Sequence, residues 1–201
     1  RFNAAAELLD GAVARGLGGR YCIRSGTIVW SYAELLDKAN RIAAMLVQDL
    51  GVVPGNRVLL RSANNPMLAA CWFAVLKAGG VAVTTMPLLR ARELSQIMNK
   101  AQVQFALCDL RLREELDKAA PSAPGLRTVS FHSDAPDGLE ARMARADLVV
   151  CGGLTEGVWP ASPAPDPLLP PAMLRTLGVP GADFRIGLAA HDLAAALGAP
   201  E

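Results

Sequence analysis

The chain has 201 residues, a net charge of +1, 52% hydrophobic residues and 19% charged ones. That length can bury a sizeable core, and the interspersed acids and bases leave no electrostatic footprint for nucleic acid or an anionic membrane surface. No apolar run approaches the roughly 20 residues that a membrane span requires.

Cys22, Cys71, Cys108 and Cys151 stand far apart without a CxxC pair, and only His132 and His191 could join them. Neither a zinc site nor a disulfide framework is indicated, and the expectation is reduced, buried thiols in a soluble cytoplasmic protein. The chain opens on Arg1 without an initiator Met, and an amphipathic helix stands where a signal peptide would carry a basic start and an apolar core. A fragment at its start is the expectation.

In chain order, Asn3 can cap a helix whose apolar stripe is Ala4, Ala5, Leu8, Leu9 and Val13, stopped by Gly16 to Gly19. Two short strands, Tyr21 to Arg24 and Thr27 to Trp30, turn at Ser25-Gly26. Ser31-Tyr32-Ala33-Glu34 reads as a capping box, opening a helix that runs to about Asp49 with Leu35, Ala39, Ile42 and Leu46 on one face. After Pro54-Gly55, the unbroken run Val58-Leu59-Leu60 within Arg57 to Arg61 suits a strand covered on both faces. Asn65-Pro66 starts a helix with proline at its first position, and Gly79-Gly80 closes it. A strand at Val81 to Thr84, a helix from about Ala91 to Ala101, a strand at Phe105 to Cys108 and a helix capped by Asp109 and running to Ala119 follow. This alternation predicts a layered α/β domain with right-handed crossovers.

The strings Trp30-Ser31-Tyr32-Ala33-Glu34-Leu35, Gly55-Asn56-Arg57-Val58, Asn64-Asn65-Pro66 and Leu76-Lys77-Ala78-Gly79-Gly80-Val81-Ala82-Val83 resemble the N-terminal subdomain of adenylate-forming acyl-CoA synthetases. Met86-Pro87-Leu88-Leu89-Arg90-Ala91 and the opening Arg1-Phe2-Asn3-Ala4-Ala5 are similar to 2-aminobenzoate-CoA and benzoate-CoA ligases. The resemblance covers residues 1–144. It implies an acid-thiol ligase that activates an aromatic carboxylate with ATP and Mg2+ and passes the acyl group to coenzyme A. The Ser/Thr/Gly-rich phosphate loop, the adenine segment, the ribose-binding Asp and the catalytic Lys of that family find no counterpart in this sequence. No catalytic or metal residue is therefore assigned, whether the chain acts as an enzyme is left open, and no cofactor is expected on this stretch by itself.

Arg111 and Arg113 lie near where related synthetases place arginines against coenzyme A phosphates, and they are the candidate cofactor-binding residues implied by the resemblance. Their spacing alone reads as a solvated helix face shared with Glu114 and Glu115. Lys77 sits in a last helical turn, where a cation complements the helix dipole, and Trp72 and Phe73 read as core packing.

Between Leu139 and Asp147 the texture changes: three of the 14 prolines lie in the first 120 residues, and the last lysine is Lys118. Asp147 to Cys151 reads as a short buried strand, followed by the turn Gly152-Gly153-Leu154-Thr155-Glu156-Gly157-Val158-Trp159-Pro160, a proline-rich loop and helices. No Lys-Ser or Lys-Thr follows those glycines, so a phosphate loop is not the reading. His191-Asp192 fits a helix cap better than a catalytic pair. Residues 139–201 resemble an internal segment of the AddB-type subunit of double-strand-break helicase-nucleases, whose acidic metal cluster and lysine are absent here. The sequence thus divides into 1–144, a truncated AMP-binding subdomain, and 145–201, an AddB-like segment. A fragment or chimera inactive by itself is the expectation, with a DNA-associated or interaction module as the alternative.

Overall fold

In the computed structural model the described residues are 3–145. The strand, loop and helices expected from residue 146 onward, and with them Glu156 and His191-Asp192, lie outside the described residues.

The chain opens with helical turns that are wound wide over Ala6–Asp10 and Val13–Leu17, stopping at Gly16, whose φ of +80° suits glycine. Asn3 caps them, its Oδ1 accepting from the Ala5 and Ala6 amides at 2.9 and 3.4 Å. An antiparallel hairpin follows, β1 (Tyr21–Ser25) and β2 (Ile28–Ser31), with a bulge between Tyr21 and Ile23. Helix α1 (Tyr32–Gln48) begins in the expected capping box: the Ser31 hydroxyl accepts from the Glu34 amide at 3.2 Å, and the Glu34 carboxylate accepts from the Ser31 amide at 2.7 Å.

From β3 (Arg57–Arg61) the α/β alternation sets in: α2 (Pro66–Lys77), β4 (Val81–Thr85), α3 (Ala91–Ala101), β5 (Phe105–Asp109), α4 (Arg113–Ala119), β6 (Arg127–Phe131) and α5 (Leu139–Arg145). The four strands β3 to β6 form one parallel sheet in the order β4-β3-β5-β6. The α/β layered architecture read from the sequence is therefore the observed one. Two details differ. Asp109 caps a 3-10 turn, Leu110–Leu112, and the α-helix begins only at Arg113. Strand β6 and helix α5 are additional to the elements expected from the sequence.

The pleat sorts side chains between two cores. Val58, Leu60, Phe105, Leu107, Val129 and Phe131 face one side, where α1, α2 and α5 cover them; Leu59, Ala106 and Cys108 face the other, under α3 and α4. Strand β5 is buried at every residue, as an inner parallel strand should be. Helices on both faces make the sheet doubly wound. The connection from β3 leads to β4 on one side and that from β5 leads to β6 on the other, so the chain diverges at the carboxyl ends of β3 and β5.

The opposite, amino edge of the sheet is closed by backbone contacts. Gly79, at φ +74°, accepts at its carbonyl from the Gly55 amide at 2.9 Å, and a Cβ there would stand 3.2 Å from Pro54. Arg127 finishes α1, its guanidinium donating to the Leu50 and Asp49 carbonyls at 2.6 and 3.0 Å. No helix of the described residues is long and apolar enough to cross a membrane.

Candidate functional site

In a doubly wound sheet the natural crevice lies at the carboxyl ends of the strands where the connections diverge. Here that edge is polar and is built around Asp109, which is 1% exposed at the end of β5. Arg111 grips it as a fork, Nε donating to Oδ1 at 2.8 Å and Nη2 to Oδ2 at 2.5 Å, while the Arg111 amide donates to Oδ1 at 3.1 Å. His132 Nδ1 lies 3.0 Å from Asp109 Oδ2 and 3.3 Å from Arg111 Nη2. A proton on Nδ1 bonds the carboxylate, and a bare Nδ1 accepts from the arginine.

Burial pushes the Asp109 carboxyl up, but the hydrogen bonds from the Arg111 side chain and amide and from His132 outweigh it and hold the group at about 2. The network continues toward α2. Ser62 Oγ is 3.5 Å from Asp109 Oδ2 and accepts from Asn65 Nδ2 at 2.7 Å, while Asn65 Oδ1 caps α2 by accepting from the Leu68 amide at 2.8 Å. His132 sits at φ +53°, and its amide donates to Glu140 Oε1 at 2.7 Å, which ties β6 to the first turn of α5.

The two arginines singled out in the sequence therefore stand at this edge, with partners other than those expected. Arg113 donates Nε to Asp117 Oδ1 at 2.6 Å and Nη1 to Ser130 Oγ at 2.8 Å. Glu114 and Glu115 instead hold Lys118 at 2.7 and 2.9 Å. The reason is helical spacing: Asp117 lies four residues from Arg113, and Lys118 lies four and three residues from the two glutamates. Arg111 remains 68% exposed at its side chain, and its Nη1 makes no hydrogen bond among the described residues.

Arg61, at the end of β3, is 1% exposed and donates only to main-chain carbonyls: Nε to Leu112 at 3.1 Å, Nη1 to Met86 at 3.3 Å, and Nη2 to Pro87 and Leu89 at 3.3 and 2.9 Å. Beside it, Met86, Leu88 and Leu110 are exposed apolar residues on the same two loops. Sequence reasoning passed over Arg61, Asp109 as an ion-pair centre, Ser62 and His132. The one available signal was a charged residue ending an otherwise apolar strand.

The remaining candidates are structural. Lys77 pairs with Asp10 and so docks α2 on the opening helix, an attachment that Asn3 Nδ2 supports by donating to the Leu76 carbonyl at 3.0 Å. Trp72 and Phe73 meet edge to face with ring centroids 5.2 Å apart, packed against the larger core. Cys71 and Cys108 are buried thiols, and Cys22 is half-buried. Burial raises the Cys71 thiol and pushes Cys108 up to about 12.

No group of three or more metal-ligating side chains occurs among the described residues. Asp109, the most buried carboxylate of the edge, has both oxygens engaged by protein donors. These residues do not fit a Mg2+ site, whereas the outward guanidinium edge of Arg111 fits a phosphate.

A doubly wound α/β domain with a polar, ion-paired edge at its switch point is the class defined by fold and site. The chain belongs to the AMP-binding enzyme family, whose model matches residues 11–166. It is 28% identical over 135 residues to a 4-hydroxybenzoate-CoA/benzoate-CoA ligase of Rhodopseudomonas palustris, a match covering 67% of this chain and 25% of that protein. It is 48% identical over 64 residues to a salicyl-AMP ligase/salicyl-S-ArCP synthetase of Mycobacterium tuberculosis, covering 32% of this chain and 11% of the relative. Among solved structures, a benzoate CoA ligase from Burkholderia xenovorans LB400 superposes with a TM-score of 0.64 at 26% identity, over 72% of this chain and 28% of that one. An anthranilate CoA ligase in complex with anthranoyl-AMP shares the fold, with a TM-score of 0.65 at 16% identity over 72% of this chain and 27% of that one. The chain thus spans about a quarter of the length of the benzoate ligases that it matches.

Proposed function

We propose that residues 1–144 are the amino-terminal scaffold of a cytoplasmic ligase that activates an aromatic carboxylate with ATP and Mg2+ and transfers the acyl group to coenzyme A. The observation that carries this reading is the likeness, in sequence and in fold, to ligases named for benzoate and 4-hydroxybenzoate. Within that enzyme the contribution of this stretch is positional. Asp109 fixes the Arg111 guanidinium at the mouth of the crevice, leaving Nη1 for a coenzyme A phosphate, and Arg113 braces the same turn through Ser130. Adenylation itself needs the phosphate loop and lysine that the 201 residues lack.

The test is ATP-pyrophosphate exchange by the chain with benzoate or 2-aminobenzoate. No exchange is expected, and measurable turnover would overturn the scaffold reading. Calorimetric titration with coenzyme A and with its 3′-dephospho form tests Arg111: tighter binding of the phosphorylated form, lost in Arg111→Gln, is the expected result. For residues 145–201 the string from Gly152 to Pro160 favours a second reading, an AddB-like, DNA-associated segment joined to the scaffold. Salt-dependent binding to duplex or single-stranded DNA is its test.

A further inference from the structure

The guanidinium of Arg61 lies between two loops that share no strand or helix, and all four of its hydrogen bonds end on their carbonyls. One loop, Met86 to Leu89, links β4 to α3 and supplies three acceptors; the other, the turn Leu110–Leu112 after β5, supplies the fourth. No carboxylate lies within ion-pair distance of Arg61 among the described residues, so the residue is held for its fork geometry. A buried cation with carbonyl partners only is costly unless its donors are satisfied, and four hydrogen bonds meet the five N–H groups of this guanidinium. We propose that Arg61 is a positioning residue that locks the two loops to one another and so sets the crevice mouth, with Arg111 on one side and the apolar Met86 and Leu88 on the other. A planar five-donor fork can span acceptors on both loops, whereas an ammonium reaches one cluster of them.

A second bridge lies outside the first. Glu115 of α4 accepts from the Ala91 amide at 2.9 Å and stands 3.9 Å from Arg90. It fastens the start of α3 to α4 and touches neither the Met86 carbonyl nor the Leu112 carbonyl. Removing it should loosen one loop, while removing the Arg61 fork should loosen both.

The inference goes beyond the ligase reading and does not depend on it. Native-state hydrogen exchange of the whole chain, resolved by mass spectrometry, tests it at amides bonded within these loops: Leu89 to the Met86 carbonyl, Ala91 to Glu115, and Arg111 to Asp109. Arg61→Gln and Arg61→Lys should each speed exchange in both loops by about tenfold or more, with the β1 and β6 peptides unchanged. Rescue by lysine would show that charge suffices and would overturn the proposal, as would loosening of one loop alone or of the whole domain. Glu115→Ala, which leaves the fork in place, should speed Ala91 and spare Arg111; faster exchange at Arg111 would also overturn it. None of these readings involves coenzyme A or ATP, so a chain that binds neither leaves this outcome intact.

Discussion

The two faces of the parallel sheet are built from the same strands with different materials. On the α1 side, β5 and β6 present Phe105, Leu107, Val129 and Phe131; on the α3 side, β5 presents Ala106 and Cys108. Large residues fill a deep core shared by three helices and the opening segment, while under α3 and α4 β5 contributes only small ones and Leu59 of β3 supplies bulk. The period of two therefore does more than separate inside from outside, since both sides are inside. It assigns volume, and the volume decides how many layers each face can carry.

Substitutions at adjacent positions of β5 test this asymmetry directly. Leu107→Ala should cost about 3 to 4 kcal/mol, because α1 on that face is packed on both α2 and α5 and cannot collapse into the space. Ala106→Leu should cost about 2 kcal/mol by overpacking under α3 and α4. Urea midpoints measure both, and a harmless Ala106→Leu would break the comparison.

The carboxyl edge, where the two faces meet, should respond to acid. The Asp109 carboxyl is held at about 2, below its unfolded value of about 3.9. A lowered carboxylate contributes stability above its unfolded value and loses it as pH falls through the folded one. About 2 kcal/mol should thus disappear between roughly pH 4 and pH 2, and Asp109→Asn should flatten that slope. Chemical unfolding at pH 5 and pH 2.5 reads the difference. Ser31→Ala should have the smallest effect, about 1 kcal/mol, by removing the cap of α1 on the large-core side. Thermal melts resolve it.

Much of this fold is legible in the chain because its signals are local. Ser31 with Glu34, Asn65 with Pro66, and Val58 to Leu60 each declare an element within a few residues. Strand β6 is harder to see: Thr128 and Ser130 interrupt Val129 and Phe131, and Pro121, Pro124 and Gly125 crowd the approach. Its polar positions make sense only in the fold, where Ser130 accepts from Arg113. The site is less legible still. Asp109 meets Ser62 and His132 across 47 and 23 residues of sequence, and Arg61 meets its carbonyl partners across 25 to 51. A charge at the end of an apolar strand looks like a solvent-facing terminus until the neighbouring loops close over it.

The strand order has a consequence for how this chain comes into being. Strand β3 is the first strand of the parallel sheet to be made, yet it ends up between β4 and β5. As the polypeptide leaves the ribosome, β3 can pair with β4 on one flank while its other flank stays bare until Phe105 to Asp109 has been synthesised. At about 5 to 20 residues per second, that interval lasts roughly one to five seconds. Val58-Leu59-Leu60, the most apolar strip of the sheet, is then an open template for unwanted partners. The central place of β3, which gives the finished molecule its protected core, makes the nascent one vulnerable for just that long.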